Sequence, residues 1–164
     1  MAGTPELDEL YDASYRRLVV QMYAICGDLA DAEEAVQEAF VSAIHKRREF
    51  RRVQNPEAWL RTAAINVLRG RWRHATVVLR YQPRVPGPQV PVEIGPEHVA
   101  VVSALAQVDR DLREVVVLYY LADRGTAEIA RDLGIAEGTV KSRLSRARTK
   151  LAGLLNDRDE EHHV

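Results

Sequence analysis

The sequence contains one cysteine, Cys26, and no apolar run approaching the roughly 18 residues of a membrane-spanning helix. A lone cysteine excludes an internal disulfide and a cysteine-based zinc site, and we expect neither a metal nor a cofactor. The first residues, MAGTPELDEL, are acidic, which is unlike a secretory signal peptide. We therefore expect a cytoplasmic protein that does not insert into a membrane.

The sequence also lacks the residue arrangements of an active site. It has no glycine-rich phosphate-binding loop, no paired carboxylates in a basic helix and no nucleophile with a neighbouring base. Its histidines at 45, 74 and 98 occur singly. We therefore expect no catalytic residues and no small-molecule substrate. An enzyme acting on nucleic acid remains a hypothesis without a supporting motif.

The net charge of −1 conceals a strong segregation of charge along the chain. Residues 44–84 carry eleven basic and two acidic side chains, a net charge of +9. Residues 138–151 carry five basic side chains and no acidic one. Acidic segments separate and flank these two blocks. The pattern predicts two anion-binding surfaces on one chain.

Residues 126–151 read as a helix-turn-helix. Thr126 suits the N-cap of a short helix, and Gly134 suits its left-handed end. The second helix begins at about Glu137 and has an apolar stripe formed by Val140, Leu144, Ala147 and Leu151. Its opposite face is small and basic, which suits the major groove of DNA. A plain helical hairpin with a solvated basic face is the alternative.

A second motif is the helix DAEEAVQEAFVSAI, which we expect residues 28–31 to cap. One face has small apolar residues and suits close helix packing: Ala32, Ala35, Val36, Ala39 and Ala43. The other face mixes acidic and apolar residues, namely Glu34, Gln37, Glu38 and Val41, with Phe40 at its edge. Such a face fits a protein-docking surface, and a simply solvated face is equally compatible.

A third motif is the helix capped by Asn55 and Pro56. We expect an inward face of Trp59, Leu60, Ala63, Ala64, Val67 and Leu68. Another face aligns Thr62, Asn66, Arg69 and Arg73, and Trp59 lies at its margin. The basic stretch 45–54 before the helix is predicted to be a surface loop. This combination suits single-stranded or melted nucleic acid, unless the tryptophans are core and the arginines face solvent.

Prolines at 83, 86, 88 and 91 mark a boundary between two parts of the chain. After it we expect a small helical core with an apolar face that includes Leu112, Val115, Val116, Tyr119 and Tyr120. The predicted fold is all-α, with two small helical domains joined by a flexible Pro-rich linker, and the C-terminal domain is a helix-turn-helix. The predicted ranges are 1–74, a linker at 75–95, 96–155, and a disordered acidic tail at 156–164.

Three segments resemble the bacterial sigma-70 family, specifically its extracytoplasmic-function (ECF) group. DAEEAVQEAFVSAI resembles the polymerase-docking helix of that family. PEAWLRTAAINVLRGRWR is similar to the helix that recognises and melts the downstream (minus-ten) promoter element. LREVVVLYYL followed by TAEIARDLGIAEGTVKSRLSRARTKL resembles the module that reads the upstream (minus-thirty-five) element. The segments occur in the family's order.

The resemblance implies a role for each matching position. The polymerase-docking set is Asp31, Glu34, Gln37, Glu38, Phe40 and Val41. The downstream-element set, in which Asn66 engages a base, is Trp59, Arg61, Thr62, Asn66, Arg69 and Arg73. The upstream-element set is Thr139, Lys141, Ser142, Arg143, Ser145 and Arg146. The implied partners are core RNA polymerase, promoter DNA and an anti-sigma factor.

Two hypotheses about function follow from these motifs. In the first, the chain is a dissociable initiation factor that brings core polymerase to promoters and helps to open the duplex. In the second, it is a free-standing helix-turn-helix regulator whose N-terminal part senses a signal or dimerises. Dependence of promoter binding on core polymerase distinguishes the first hypothesis from the second.

Overall fold

The computed structural model describes residues 5–77 and 92–161 and contains no strand in those ranges. The described residues form two compact units, one of 5–22, 28–77 and 92–95 and the other of 23–27 and 96–161. The predicted all-α class is therefore confirmed. Most of the predicted linker, residues 78–91, lies outside the described residues.

The first helix is α1 (Pro5–Cys26), whose residues 5–22 belong to the N-terminal unit, and α2 (Leu29–His45) follows it. Asp28 caps α2, since its side chain accepts a hydrogen bond of 2.9 Å from the backbone N–H of Asp31. The predicted small face of α2 is confirmed: its four alanines and Val36 are all fully buried. This face packs mainly on α4. Alanines allow the two helix backbones to approach closely, as small residues do at other helix contacts.

The basic stretch between α2 and α4 is not the predicted surface loop throughout. It contains a short helix, α3 (Arg47–Phe50), with a 2.8 Å backbone hydrogen bond from Phe50 N–H to Lys46 O. Phe50 is buried and packs edge-to-face on Trp59, with ring centroids 5.1 Å apart. One apolar anchor therefore orders a segment that its charged residues alone would leave on the surface.

Helix α4 (Pro56–Val77) begins at the predicted cap, where Asn55 Oδ1 accepts a 3.0 Å hydrogen bond from Ala58 N–H. It continues past the predicted domain end at residue 74. Its buried face is rotated from the predicted one and consists of Ala58, Leu60, Arg61, Ala64, Ile65 and Leu68. The predicted inward residues Trp59, Ala63 and Val67 are only half-buried. The rotation follows from an arginine on the buried side, which apolar periodicity does not anticipate.

A polar network joins α1 to α4 at that buried arginine. Arg61 Nε donates a 2.7 Å hydrogen bond to Gln21 Oε1, and Arg61 is also paired with Glu57. Glu57 in turn accepts a 2.8 Å hydrogen bond from Arg17 Nε. The network satisfies the buried polar groups that would otherwise destabilise this interface.

Acid should weaken the N-terminal unit through Glu57. Burial alone would raise the pKa of Glu57, but hydrogen bonds from Arg17 and Ser14 and the charges of Arg17 and Arg61 outweigh burial and lower it below its ordinary 4.5. A lowered folded-state pKa adds stability above the unfolded value, and that stability is lost as pH falls through the folded pKa. The free energy of unfolding by urea, measured from pH 7 down through the folded pKa, should depend less on pH for Glu57→Gln than for the wild type. An equal loss of stability in the wild type and in Glu57→Gln as the pH falls would contradict the role of Glu57.

The C-terminal unit includes α5 (Pro96–Leu105), α6 (Arg110–Val116) and a π-helical turn at Val117–Leu121. The wide turn is closed by a 3.0 Å hydrogen bond from Ala122 N–H to Val117 O. It shifts the helical register by one residue, so the predicted apolar face is correct for α6 but wrong for Tyr120, which is 54% exposed.

The helix-turn-helix consists of α7 (Thr126–Leu133) and α8 (Glu137–Glu161). Gly134 ends α7 with φ of 67°, as predicted, and Ile135 N–H donates to Ala130 O at 3.0 Å. The N-cap position is Gly125 rather than the predicted Thr126, whose hydroxyl instead donates a 2.9 Å hydrogen bond to Glu137.

Helix α8 buries the predicted stripe and is longer than predicted. Val140, Leu144 and Ala147 are buried, and Leu151 is half-buried. The prediction of a disordered tail from residue 156 is wrong for 156–161, which continue the helix. The helix continues because residues 154–161 contain no proline or glycine and include several good helix formers.

Candidate nucleic-acid and protein interfaces

The outward face of α8 brings together four of the six residues predicted to read the upstream element. Lys141, Ser142, Ser145 and Arg146 are exposed and lie on adjacent turns of one side of the helix. Thr139, at the start of this face, is half-buried. The arrangement offers two cations and two hydroxyls to a groove or to phosphates, which are the donors that DNA recognition uses.

Arg143 stands apart from these residues. Its side chain is 20% exposed and lies 4.0 Å from Asp111 of α6, measured between Arg143 Nη2 and Asp111 Oδ2. The helical register places it at the edge of α8, between the outward face and the buried stripe. The structure therefore separates Arg143 from the four exposed residues with which the sequence grouped it.

Two further arginines of this unit support the helix-turn-helix. Arg124 makes a bidentate contact with Asp132 of α7, at 3.0 and 3.2 Å, and also pairs with Glu128. This cluster was not among the predicted features, although acidic residues four and eight positions after Arg124 are a usable signal. Arg148 Nε donates a 2.7 Å hydrogen bond to Tyr120 OH, and its guanidinium lies over the rings of Tyr119 and Tyr120.

Helix α4 presents the predicted downstream-element residues with differing exposure. Asn66 and Arg73 are exposed, whereas Thr62 and Arg69 are half-buried. Trp59 is half-buried and lies against Phe50, which places one indole at the margin of the face, as expected. The face therefore offers an amide and a cation beside an aromatic ring, a combination that suits unstacked bases and phosphates.

Arg61 does not belong to that face. It is only 3% exposed, and its guanidinium is engaged by Gln21 and Glu57 inside the unit. A cation with these internal partners cannot reach DNA without breaking the network. The predicted DNA contact of Arg61 is therefore corrected to a structural role between α1 and α4.

The α2 surface holds five of the six predicted docking residues. Asp31, Glu34 and Gln37 are half-buried, Glu38 is exposed, and Val41 is 50% exposed. Ile44 is exposed to the same extent and extends the apolar part of the surface.

Phe40 is the exception among the docking residues. It is 7% exposed and packs edge-to-face on Tyr11 of α1, with centroids 5.0 Å apart. It therefore belongs to the core of the unit, and its prediction as a direct contact is corrected. An aromatic ring beside a small-residue helix face finds more contact area inside the protein than outside.

Arg71 of α4 reaches the acidic part of the α2 surface. Its guanidinium lies 3.0 Å from Glu34, 2.9 Å from Glu38 and 3.7 Å from Asp31. Arg71 was not among the predicted site residues. Its partners lie on another helix, so only the packing of α2 on α4 reveals the contact.

The described ranges, 5–77 and 92–161, contain neither a metal-binding cluster nor a membrane-spanning helix. In those ranges no three histidine, cysteine, aspartate or glutamate side chains are grouped so that they could hold a metal ion. No helix there is long and apolar enough to cross a membrane.

Comparison with known proteins relates both units to one family. Residues 10–77 match Sigma-70 region 2, and residues 98–151 match Sigma-70, region 4. The chain is similar to the ECF RNA polymerase sigma factor SigL of Mycobacterium tuberculosis, with 36% identity over 142 residues that cover 82% of this chain and 80% of SigL. It is similar to SigM of the same species, with 34% identity over 152 residues that cover 90% of this chain and 76% of SigM.

Solved structures give the same result. The sigma factor RpoE of Bartonella quintana, in complex with the anti-sigma factor NepR, matches with a TM-score of 0.71 and 25% identity, covering 92% of this chain and 97% of RpoE. CnrH, in complex with the cytosolic domain of CnrY, matches with a TM-score of 0.65 and 25% identity, covering 95% of this chain and 91% of CnrH. The chain belongs to the sigma-70 family, in its extracytoplasmic-function group.

Proposed function

We propose that this chain binds core RNA polymerase, directs it to specific promoters and assists promoter opening. The observation that carries the proposal is the outward face of α8, where Lys141, Ser142, Ser145 and Arg146 are exposed together on the second helix of a helix-turn-helix. Such a helix can enter the major groove, and the two cations can pair with guanine or phosphate. As a sigma factor, the chain is a transcription regulator, and we expect it to perform no covalent chemistry.

The N-terminal unit supplies the other two activities in this proposal. The exposed face of α4, with Asn66 and Arg73, engages the melted downstream element. The surface of α2 docks on polymerase through Glu34, Glu38 and Val41, which combine charge with exposed apolar area. We assign these roles to a domain at 1–74, promoter reading upstream to a domain at 96–155, and a connecting role to 75–95.

We further propose that an anti-sigma factor controls the chain. The support comes from RpoE and CnrH, which were solved with NepR and with the cytosolic domain of CnrY. An anti-sigma factor that covers the α2 surface or the α8 face would prevent the chain from working with polymerase and promoter together. We expect this control to operate in the cytoplasm.

Run-off transcription over a promoter library tests the proposed function. Purified core RNA polymerase is combined with the chain and with DNA templates that carry randomised upstream and downstream elements. We expect defined start sites that require the chain, and the enriched templates should share bases in both elements. Transcription that is indifferent to the presence of the chain would reject the proposal.

Asn66 provides a test that separates opening from docking. We expect Asn66→Ala to reduce promoter opening, because a lost base contact costs about 1–3 kcal/mol, which is roughly a 5- to 150-fold change. Reactivity of unpaired thymines in the downstream element measures opening, and binding to labelled core polymerase measures docking. Docking should be unchanged.

The matched control is Asn156→Ala, which changes the same residue type at another exposed helical position. We expect it to leave both measurements unaltered. An equal loss of opening and docking in Asn66→Ala would assign Asn66 to structure rather than to the DNA-contacting face.

A further inference from the structure

Arg71 occupies an unusual position in the N-terminal unit, because it faces the carboxylates predicted to dock on polymerase. Asp31, Glu34 and Glu38 follow one another at i, i+3 and i+7, so they form a single row on α2. The guanidinium of Arg71, on α4, lies within 4.0 Å of all three, with its shortest contacts at 2.9 and 3.0 Å. One cation therefore serves three anions that belong to a different helix.

The Arg71 side chain is directed away from the predicted DNA-contacting face of its own helix. At 3.6 residues per turn, Arg71 lies about 140° to 160° around α4 from Asn66, Arg69 and Arg73. Its side chain is 32% exposed, so it is partly enclosed between α4 and α2. A contact of Arg71 with the downstream element would require it to leave the three carboxylates and pass around the helix.

The electrostatics of the row explain what Arg71 contributes. Three neighbouring carboxylates repel one another and, without a shared cation, would spread among separate rotamers. The planar fork of a guanidinium can hold two carboxylates at once, which a lysine ammonium does less well. With Arg71 the row keeps a net charge of about −2, and each carboxylate retains lone pairs for a second donor.

We propose that Arg71 is a positioning residue for polymerase docking, which holds Asp31, Glu34 and Glu38 as one ordered array for a basic surface of core polymerase. This inference rests on the proposed function. Side chains that are ordered before binding lose less conformational entropy when the complex forms. The array therefore binds a partner's arginines or lysines more tightly than three independent carboxylates would.

The test compares wild type, Arg71→Gln and Arg71→Lys in the binding kinetics of the full chain with core polymerase. We expect Arg71→Gln to dissociate roughly tenfold faster, because the carboxylates must then be ordered during binding. Its association should be no slower, since the more negative surface attracts a basic partner at least as strongly. Arg71→Lys keeps the charge but loses the fork, and we expect an intermediate dissociation rate.

Two controls separate positioning from a general effect on charge or folding. Arg16→Gln removes one positive charge from an exposed residue of the same unit and should leave the dissociation rate unchanged. In a Glu34→Gln, Glu38→Gln background, Arg71→Gln should have a smaller effect than it has in the wild type, because the two carboxylates closest to Arg71 are gone and only Asp31, at 3.7 Å, remains. Thermal unfolding of each variant establishes that the unit is intact, and Arg71→Lys serves if Arg71→Gln does not fold.

The outcomes are distinguishable from those of the proposed function. If the wild-type chain does not bind core polymerase, the proposed function fails. If the wild type binds and both Arg71 variants dissociate at the wild-type rate, the positioning role is overturned. Tighter binding by Arg71→Gln would also overturn it, since Arg71 would then compete with polymerase for the carboxylates.

Discussion

Replacing Lys141 and Arg146 with alanine should reduce transcription from a promoter that depends on its upstream element by about 30-fold or more. Both side chains are exposed on the outward face of α8, and the two residues are five positions apart. Each contact with a base is worth about 1–3 kcal/mol, so loss of two contacts costs at least ~2 kcal/mol. Run-off transcription with core polymerase and each single and double variant measures the loss.

Lys150→Ala is the matched control for Lys141→Ala. Lys150 lies on the same helix, about 180° around its axis from Lys141. Its Nζ is 3.7 Å from Asp109, the residue before α6. It should have little effect on promoter use. On a template with a scrambled upstream element, the wild type should fall to the level of the double variant. Full activity of the double variant on the intact template would remove the α8 face from promoter recognition.

Replacing Leu144 with alanine should destabilise the C-terminal unit by about 2–5 kcal/mol. Leu144 is 2% exposed and occupies the middle of the buried stripe of α8, between Val140 and Ala147. Its truncation removes apolar contact and leaves a cavity that the neighbouring helices fill only partly. Urea unfolding followed by circular dichroism measures the change in the free energy of unfolding.

Leu155→Ala makes the same chemical change on the same helix. Leu155 is 58% exposed, so it has little buried area to lose, and we expect a change within about 0.5 kcal/mol. Similar destabilisation by the two substitutions would mean that α8 is not buried along the stripe that positions its outward face. Promoter recognition by that face would then lack its structural basis.

The features that depend on residue spacing within one helix could be predicted from the sequence. The Val140, Leu144 and Ala147 stripe and the left-handed end at Gly134 depend on local spacing and on backbone preference. The alanine face of α2 and the Asn55 cap depend on the same short-range rules. For this reason the helix-turn-helix and the relative orientation of its exposed and buried residues were correctly predicted.

The features that depend on tertiary packing could not be predicted in this way. From the sequence alone Arg61 is a cation available to DNA, whereas in the fold it has a buried partner, Gln21 of α1. From the sequence alone Phe40 is a surface residue, whereas in the fold it packs against Tyr11. Phe50 orders α3 through its contact with Trp59, which lies on another helix. The exposure of Tyr120 follows from a π-helical turn, which helical periodicity does not reveal.

The same distinction between features of one helix and features of tertiary packing applies to the charged residues. The outward charges of α8 could be identified from their spacing, because their positions are fixed by one helix. Arg71 could not, because its role depends on α2 lying against α4. The sequence placed Arg143 with the upstream-element residues, whereas its position beside Asp111 depends on the packing of α6.

Membership in the sigma-70 family favours the initiation factor over the free-standing regulator, and the two make opposite predictions about DNA binding. The most direct test is the affinity of the purified chain for a promoter duplex, measured with and without core polymerase. We expect specific, tight binding only when polymerase is present, because docking and both promoter contacts are needed together. Tight, sequence-specific binding of the isolated chain, unchanged by polymerase, would contradict its function as a sigma factor.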